Sequence, residues 1–291
     1  MPDCPLEWAL FLFSQGYAKA LLVPTEIREA YVRGRDGNHI YCVESGTGPA
    51  VLLAHGFLLD LNVYDGLMQR LVGLGYRVIA FDQRGHRRTT VGSDGNGSAA
   101  AASDYAVVIE HFEIDDAILV GHSMGGFLAL VFCLGHPELA RRLKRLVLLG
   151  ANAGAVAVGS LQNRLQMPLL KAGLLKPLWR MPVTGRLLVE PLFGQSPDPA
   201  HVELTRQTLL RQDIRASLPL LRAMSYENYY DRLAEIAVPA RVVCGQLDRT
   251  CPAWHSERLG RELPRAETRW LPGVGHMLGY EAPEAIIEAL R

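Results

Sequence analysis

Short, continuously apolar runs alternate with helix-forming stretches along most of the chain, and this alternation restricts the possible folds most strongly. Four such runs precede residue 151: "AVLLAHG" at 50–56, "YRVIAFD" at 76–82, "AILVGHS" at 117–123 and "LKRLVLLG" at 143–150. Strands buried on both faces of a parallel sheet have this pattern, whereas half-exposed strands alternate apolar and polar residues. The spacing predicts an α/β domain, with a mostly parallel central sheet and helices on both faces.

Other local patterns extend this prediction to both ends of the chain. Asp36-Gly37 lies within the alternating segment 28–45 and predicts a β-hairpin there. Apolar runs return at 240–248 and 267–276, and a final helix is predicted at 283–290.

The first four runs are joined by three predicted connections. Helices are expected at 63–74 and 125–136 because apolar residues recur there with helical spacing. The Gly-, Ser- and Ala-rich segment 92–104 is predicted to be a loop, followed by the end of a helix at 105–112.

Residues 152–235 interrupt the alternation, because they contain no convincing strand. Leu, Met and Pro dominate this segment, and four prolines are expected to separate short helices: residues 168, 177, 182 and 191. We therefore predict three parts: an N-terminal extension (1–27), a core domain (28–151 and 236–291) and a helical insertion (152–235).

The N-terminal extension contains an apolar stretch from Trp8 to Phe13. Asp3 and Glu7 stand where a signal peptide would have basic residues, and no run approaches membrane-spanning length. We expect residues 6–22 to form an amphipathic helix that packs on the domain. Contact with a partner or with a membrane surface is the alternative.

Composition excludes several classes of function. Lys+Arg and Asp+Glu both number 30, so the formal net charge is +0, which argues against nucleic acid as a partner. The basic runs at 84–88 and 141–145 are interpreted as solvated charges on loops and helix ends. The five cysteines are an odd number without CxxC spacing, which favours a reduced, cytoplasmic location. No metal-binding motif is present among the nine histidines.

The residues Gly121-His122-Ser123-Met124-Gly125 match the pattern G-x-S-x-G between a predicted strand and a predicted helix. In that position a serine can take a strained backbone conformation that projects its hydroxyl from the carboxyl end of the sheet. The helix that follows offers N–H groups to an anion. Ser123 is therefore the candidate nucleophile, and a Gly/Ser turn without chemistry is the alternative.

A serine nucleophile needs a base, and the base needs an orienting acid. Asp248 ends an apolar run, and His276 follows the next one within a glycine-rich loop. The order Ser, Asp, His along the chain is the one that accompanies this type of nucleophile turn. Asp248 could instead cap a helix at 252–260, and His276 could be an ordinary loop residue.

An oxyanion hole is expected from two main-chain N–H groups. His55-Gly56-Phe57 ends an early strand, and Met124 directly follows the candidate nucleophile. The N–H groups of Phe57 and Met124 would converge on the developing negative charge.

Taken together, these motifs resemble the α/β-hydrolase fold superfamily over nearly the whole chain from about residue 28. The matching segments are "HGF" at 55–57, "FDQRGH" at 81–86, "GHSMGG" at 121–126, "GQLDRTCP" at 245–252 and "GVGHM" at 273–277. They are most similar to the branch of serine esterases, lactonases and cofactor-free haloperoxidases. Members with an aspartate nucleophile, such as dehalogenases, are disfavoured because Ser123 occupies that position. Arg87-Arg88-Thr89 departs from the pattern after "DQRGH".

The resemblance implies a function and a substrate class. The insertion would form a cap over the nucleophile, with its apolar residues lining an acyl or alkyl pocket and with no cofactor or metal required. We expect a serine hydrolase that cleaves carboxylic esters with a hydrophobic part. Lactone, thioester and carbon–carbon hydrolysis, perhydrolysis and a ligand receptor without turnover stay open. One of seven cap arginines could hold a carboxylate, although most are expected to face solvent: residues 164, 180, 186, 206, 211, 215 and 222.

Overall fold

The apolar runs form the centre of an eight-stranded sheet in the computed structural model, which describes residues 26–291. The strands are β1 (Ile27–Arg33), β2 (His39–Ser45), β3 (Ala50–Ala54), β4 (Arg77–Phe81), β5 (Ala117–His122), β6 (Leu143–Leu149), β7 (Ala240–Gly245) and β8 (Ala266–Leu271). Their order is β1-β2-β4-β3-β5-β6-β7-β8. β2 is antiparallel to both β1 and β4, and every other pair is parallel. The predicted hairpin and the predicted α/β class are therefore confirmed, whereas the predicted helix at 6–22 lies outside the described residues.

Helices connect the strands and cover the sheet. In the core they are α1 (Asp65–Gly73), α2 (Ser98–His111), α3 (Met124–Gly135), α4 (Pro137–Ala140), α10 (Ala253–Glu262), α11 (Leu278–Glu281) and α12 (Pro283–Ala289). Between β6 and β7 they are α5 (Leu161–Lys171), α6 (Leu175–Arg180), α7 (Pro182–Val189), α8 (Pro199–Arg211) and α9 (Ile214–Tyr226). None of the helices in residues 26–291 is long and apolar enough to cross a membrane. We use "cap" for residues 152–235, and the division into core and cap stays a prediction.

Helix α2 begins earlier than the sequence analysis predicted. The loop expected at 92–104 ends at Gly97, and Ser98 is the first helical residue. Alanine is the strongest helix former, so the run of alanines at 99–102 continues the helix toward its N-terminus. The prediction was wrong for residues 98–104 because glycine and serine were given more weight than the alanines between them.

Proline also has a different role from the predicted one at two positions. Pro168 lies inside α5 and Pro177 inside α6, so neither separates two helices. Pro168 leaves the carbonyl group of Arg164 without its usual donor, and Arg164 is exposed, so water can supply one. Pro182, in contrast, begins α7 at the first position, where its missing N–H costs nothing.

The basic run at 84–88 is not the solvated loop that was expected. Arg84 is buried, and its Nη2 atom donates to Asp104 at 2.6 Å and to Asp36 at 3.0 Å. This pair of contacts joins the hairpin turn to α2. Arg88 donates to the buried carboxylate of Asp82 at 3.2 Å and lies over the ring of Tyr41. The interpretation as solvated charge is wrong for Arg84 and Arg88, because the fold places them against the buried carboxylates of Asp36, Asp104 and Asp82.

The sheet register brings distant parts of the chain to one edge. Gly121 on β5 pairs with Ala54 on β3 and with Leu148 on β6, and Leu149 pairs with Val243 on β7. Parallel strands end at the same edge of a sheet, so the loops after β3, β5, β6, β7 and β8 meet there. Ser123 follows one of these strands.

Candidate active site

Ser123 lies at the sharp turn between β5 and α3. Its backbone has φ 53° and ψ −115°, in a region that residues other than glycine rarely adopt. Strain of this kind persists only where the surrounding structure enforces it, and it is concentrated at functional sites. The side chain lines a cavity at the carboxyl edge of the sheet.

The two glycines of the pentapeptide are required by close backbone contacts. A Cβ atom on Gly125 would overlap the carbonyl oxygen of Ala54 at the end of β3. A Cβ atom on Gly121 would lie 2.7 Å from the carbonyl oxygen of Gly125, well inside van der Waals contact. The motif therefore allows β3, β5 and α3 to pack closely around the serine.

The structure brings His276 and Asp248 together, although each follows a different strand. His276 Nδ1 lies 2.7 Å from Asp248 Oδ2, and both side chains are nearly buried. Asp248 Oδ1 accepts the main-chain N–H groups of Thr250 and Cys251, each at 2.8 Å. The carboxylate holds a proton on Nδ1, which leaves Nε2 able to accept another. Helix α10 is capped by Pro252, so Asp248 does not act as its N-cap.

Gly150, which the sequence analysis did not single out, lies against this pair. It directly follows β6 and has φ 50°. A Cβ atom there would be 2.9 Å from Asp248 Oδ2 and 3.2 Å from His276 Nδ1. Glycine thus leaves room for the hydrogen bond between the two side chains. The only local sequence feature that could have drawn attention to Gly150 is its position at the end of an apolar run.

Glu281 is a second residue that the sequence analysis missed. Its carboxylate accepts the N–H groups of Gly275 at 3.0 Å and of Met277 at 3.1 Å, on either side of His276. It also accepts the N–H of Gly194 in the cap at 2.6 Å. One carboxylate therefore fixes the histidine loop and joins it to the cap. An acidic residue five positions after the histidine is the signal that could have revealed it.

His122 holds the main chain of His276. His122 Nε2 lies 2.8 Å from the carbonyl oxygen of His276, and a carbonyl can only accept, so Nε2 carries the proton. Burial, together with the neighbouring His276, lowers the pKa of His122 to about 3. The ring is therefore neutral and donates one hydrogen bond at neutral pH.

The loop that carries Phe57 is held by two buried histidines. His86 Nε2 accepts the N–H of Leu58 at 3.1 Å, and His55 Nε2 accepts the N–H of Gln83 at 2.9 Å. Burial lowers the pKa of His55 to about 4 and that of His86 to about 3, so both rings are neutral acceptors. These bonds stabilise a loop in which Leu58 has φ 55°.

Phe57 and Met124 are placed beside Ser123. Phe57 lines the same cavity, and Met124 is the first residue of α3. Within residues 26–291, no hydrogen bond uses the N–H group of either residue. The first N–H groups of a helix have no acceptor inside that helix. Both N–H groups are therefore free to bind an anion.

The cavity next to Ser123 has a volume of about 130 Å³ and lies between the sheet edge and the cap. Phe57, Ser123 and His276 line its floor. The apolar side chains that the cap contributes are Met167, Leu170, Leu175, Trp179, Leu188, Leu192, Leu209 and Leu221. No Lys, Arg, Asp or Glu of the described chain lines it. An engineered apolar cavity of about 150 Å³ holds one benzene molecule, so this space suits a small apolar group.

Two polar atoms of the cavity wall are buried without a hydrogen-bond partner. They are Gln162 Oε1 and Thr250 Oγ1, on α5 and on the loop after β7. A buried polar oxygen without a partner is destabilising, so a bound group that reached either atom with a hydrogen bond would remove that cost.

Cys251 lies in the loop after β7, where its N–H binds Asp248, and its side chain is buried. Its Sγ lies 3.6 Å from Asn152 Nδ2. Burial and the neighbouring Asp248 raise the pKa of the Cys251 thiol. The thiol stays protonated at neutral pH and is therefore a poor nucleophile. Within residues 26–291 no group of three or more His, Cys, Asp and Glu side chains could hold a metal ion.

The sheet order, the serine at the β5–α3 turn and the Asp–His pair after β7 and β8 define an α/β-hydrolase. A family model described as the alpha/beta hydrolase family matches residues 51–289, and the chain belongs to this family. The resemblance found in the sequence is thereby confirmed.

Relatives in this family have several activities. The chain is 28% identical to a non-heme haloperoxidase of Rhodococcus erythropolis over 258 residues, which covers 84% of this chain and 92% of the relative. It is also 28% identical, over 280 residues, to a 2-hydroxy-6-oxononadienedioate/2-hydroxy-6-oxononatrienedioate hydrolase of Burkholderia vietnamiensis. That alignment covers 92% of this chain and 92% of the relative. An esterase from Exiguobacterium antarcticum superposes with a TM-score of 0.79 at 23% identity, covering 90% of this chain and 98% of the esterase. The last comparison supports the fold alone.

Proposed function

We propose that this protein is a serine hydrolase that cleaves carboxylic esters with a small hydrophobic acyl group. The observation that carries the proposal is that Ser123 and His276 line one apolar cavity while His276 Nδ1 is bonded to the buried carboxylate of Asp248. A nucleophile, a base with an unprotonated nitrogen and an orienting acid are the three groups that acyl transfer needs.

In the first half of the proposed reaction, Ser123 Oγ attacks the ester carbonyl carbon and its proton passes to His276 Nε2. The carbonyl oxygen becomes an oxyanion, which the N–H groups of Phe57 and Met124 bind. The C–O bond to the alcohol then breaks, and His276 returns the proton to the leaving alkoxide. Asp248 stabilises the charged imidazolium during these steps and does not itself take the proton.

In the second half, water attacks the acyl-enzyme. His276 Nε2 removes a proton from the water, and the same two N–H groups bind the second oxyanion. The bond between the acyl carbon and Ser123 Oγ breaks, and the proton passes from His276 to Ser123. The products are the free acid and the original enzyme, so no cofactor is consumed.

The cavity walls narrow the substrate class. About 130 Å³ between leucines favours short acyl chains over long ones. Because Gln162 Oε1 and Thr250 Oγ1 lack a partner there, a substrate hydroxyl within reach of both atoms would donate to Gln162 Oε1 and accept from the Thr250 hydroxyl. We therefore propose a short ester with one hydroxyl group besides the ester group.

The charge of the cavity argues against one alternative. The carbon–carbon hydrolase relative is named for a dioate, a substrate with two carboxylates. A buried carboxylate needs a cationic partner or several hydrogen bonds, and no Lys or Arg of the described chain lines this cavity. An uncharged ester therefore fits better than a dicarboxylate.

The test is hydrolysis of p-nitrophenyl esters, from acetate to dodecanoate, by the wild-type protein and by Ser123→Ala in parallel. We expect the highest kcat/KM with the shortest chains and a loss of about 10⁴-fold or more in the variant. A fluorophosphonate probe should label Ser123 in the wild-type protein, and the variant serves as the unlabelled control.

Three outcomes would contradict the proposal. Equal hydrolysis by the variant would remove Ser123 as the nucleophile. Peracid formation that exceeds hydrolysis when hydrogen peroxide is present would indicate a perhydrolase. Labelling of Ser123 without turnover of any ester or lactone would indicate a receptor that retains the fold.

A further inference from the structure

The cap exposes an unusual number of large apolar side chains. Eight of the fourteen that the described residues leave exposed lie between Val158 and Leu187: Val158, Leu161, Leu165, Leu169, Leu174, Met181, Val183 and Leu187. Isolated surface leucines are normal, but a concentration in one short segment marks an interaction surface.

These side chains follow helical spacing. Leu161, Leu165 and Leu169 lie four residues apart on α5, and Val183 and Leu187 lie four apart on α7. Residues at this spacing share one face of a helix. Leu161 is 68% exposed and Val183 is 73% exposed, so both faces are open to solvent. We call these five residues the outer stripes.

The opposite faces of the same helices line the cavity. Met167 and Leu170 of α5, and Leu188 of α7, contact the space beside Ser123. Both helices are therefore apolar on two sides, although a surface helix needs only one apolar face. Packing within the chain accounts for the inner faces and leaves the outer stripes without a partner among the described residues.

Charge identifies the kind of partner. Residues 152–189 contain five Lys and Arg and no Asp or Glu, in a chain whose net charge is +0. Two of these five side chains have partners within the protein, since Arg186 pairs with Glu203 and Lys176 donates to the carbonyl of Gln212. The other three are exposed and make no ion pair within residues 26–291: Arg164, Lys171 and Arg180.

A cationic groove lies at the C-terminal end of α5, the helix that carries Leu161, Leu165 and Leu169. Lys171, Arg215, Arg222 and Tyr226 line an open groove of about 600 Å³, together with Leu218 and Pro219. No acidic residue of the described chain lines it. Three cations beside exposed leucines form a surface that matches anionic headgroups next to acyl chains.

We propose that the outer face of the cap docks on an anionic lipid bilayer, with the outer stripes inserted among the acyl chains and the groove residues bound to headgroup phosphates. Docking would place the cap between the bilayer and the cavity. The proposal concerns binding and does not depend on which bond the site cleaves.

The experiment is sedimentation of the full-length protein with sucrose-loaded vesicles. Phosphatidylcholine vesicles are compared with vesicles that also contain phosphatidylglycerol, at low and high salt. We expect binding to the anionic vesicles to exceed binding to the neutral ones by about tenfold or more, and to weaken as salt is raised.

Two variants separate the two parts of the surface. The triple variant Leu165→Glu, Val183→Glu, Leu187→Glu changes the outer stripes, and the triple variant Lys171→Glu, Arg215→Glu, Arg222→Glu changes the groove. Each should lower anionic-vesicle binding by about tenfold or more. The matched control is Leu74→Glu, which changes a leucine that is 52% exposed outside the cap and should bind like the wild type.

Circular dichroism and thermal unfolding of each variant establish that it is folded. The proposal would be overturned if the wild-type protein did not bind anionic vesicles. It would also be overturned if either triple variant bound them as strongly as the wild-type protein does. A dimer in lipid-free solution that the outer-stripe variant dissociates would overturn it as well, because a second copy of this chain would then cover the surface.

Discussion

The carboxylate of Glu281 brackets His276, because it accepts the main-chain N–H groups of the residues on both sides of that histidine. It also binds the N–H of Gly194, so the position of the histidine loop depends on the cap. Small displacements of a catalytic base are costly, since about 1 Å can reduce the rate by about 10²-fold. We therefore propose that Glu281 positions His276, the proposed base.

For Glu281→Ala we expect kcat on p-nitrophenyl acetate to fall by about 10- to 100-fold while KM changes little. Glu281→Gln keeps a carbonyl oxygen as acceptor and should recover part of the loss. If Glu281 had only a structural role, both variants would have a lower melting temperature, but kcat would not fall while KM stayed the same. Equal kcat in the wild-type protein and both variants would show that Glu281 does not position His276.

The second prediction concerns Gly150, which lies against the hydrogen bond between Asp248 and His276. In Gly150→Ala the new Cβ would displace one of the two side chains, because it would lie 2.9 Å from Asp248 Oδ2. We expect kcat to fall by about 10²-fold. Steady-state kinetics with a short-chain ester is the measurement.

A matched control separates steric displacement from backbone strain. Gly75 also has a positive φ, of 85°, but a Cβ atom there would meet nothing within 4 Å. Gly75→Ala should cost about 1–2 kcal/mol of stability and leave kcat unchanged. If both alanine variants lost activity equally, strain rather than contact with the Asp–His pair would be the cause.

The third prediction uses two adjacent leucines on α7. Leu188 lines the cavity, whereas Leu187 faces solvent and is 64% exposed. Leu188→Ala enlarges the cavity, so the preferred acyl chain should lengthen by about two carbons in the p-nitrophenyl ester series. Leu187→Ala should keep the wild-type optimum. Identical optima in the two variants would mean that the acyl group binds elsewhere.

The fourth prediction concerns Gln162, whose Oε1 atom is buried at the cavity wall without a partner. Gln162→Leu should remove a preference for hydroxyl-bearing esters over their unsubstituted counterparts. A site that hydrogen-bonds a substrate hydroxyl can discriminate strongly, so we expect a change of about tenfold or more in the ratio of kcat/KM values. No preference in the wild-type protein would contradict the proposed hydrogen-bond donor.

The fifth prediction is a pH dependence of stability that arises from Asp60. Burial, with the nearby carboxylate of Asp82 adding to it, raises the pKa of Asp60 from 3.8 to about 6. The folded protein therefore holds this proton more tightly than the unfolded chain, so Asp60 reduces stability as pH rises from about 4 to about 6.

Asp60→Asn keeps the side-chain oxygen that accepts the N–H of Asn62 and removes the charge. We expect its melting temperature to exceed that of the wild type by several degrees at about pH 8, and to differ little at about pH 4. Asp115→Asn changes an exposed carboxylate and should show no such difference between the two pH values. A pH-independent effect of Asp60→Asn would show that Asp60 does not titrate as inferred.

Sequence patterns specified the local structure and the motifs of the site. The continuously apolar runs became central strands, and the hairpin formed around Asp36-Gly37 as predicted. Gly121 and Gly125 indicated a tight strand–helix turn around Ser123. A Cβ atom at either position would overlap neighbouring backbone atoms. These features depend on residues close together in the chain, where steric limits and periodicity act directly.

Local patterns failed where two preferences competed or where the neighbours were distant in the chain. The start of α2 was missed because Gly97 and Ser98 stand next to a run of alanines. Arg84 was taken for a solvated charge, although it is buried between Asp36 and Asp104. No local pattern shows that carboxylates more than a dozen residues away will face it.

The sequence by itself thus determined the α/β class, the strained turn at Ser123 and the order of the candidate residues. Only the tertiary structure decided which groups surround His276: Asp248, Gly150, His122 and Glu281. It also decided the volume of the cavity and which leucines of the cap face outward. The physical reason is that turns and periodicity follow from neighbouring residues, whereas contacts between loops exist only once the sheet has aligned the strand ends.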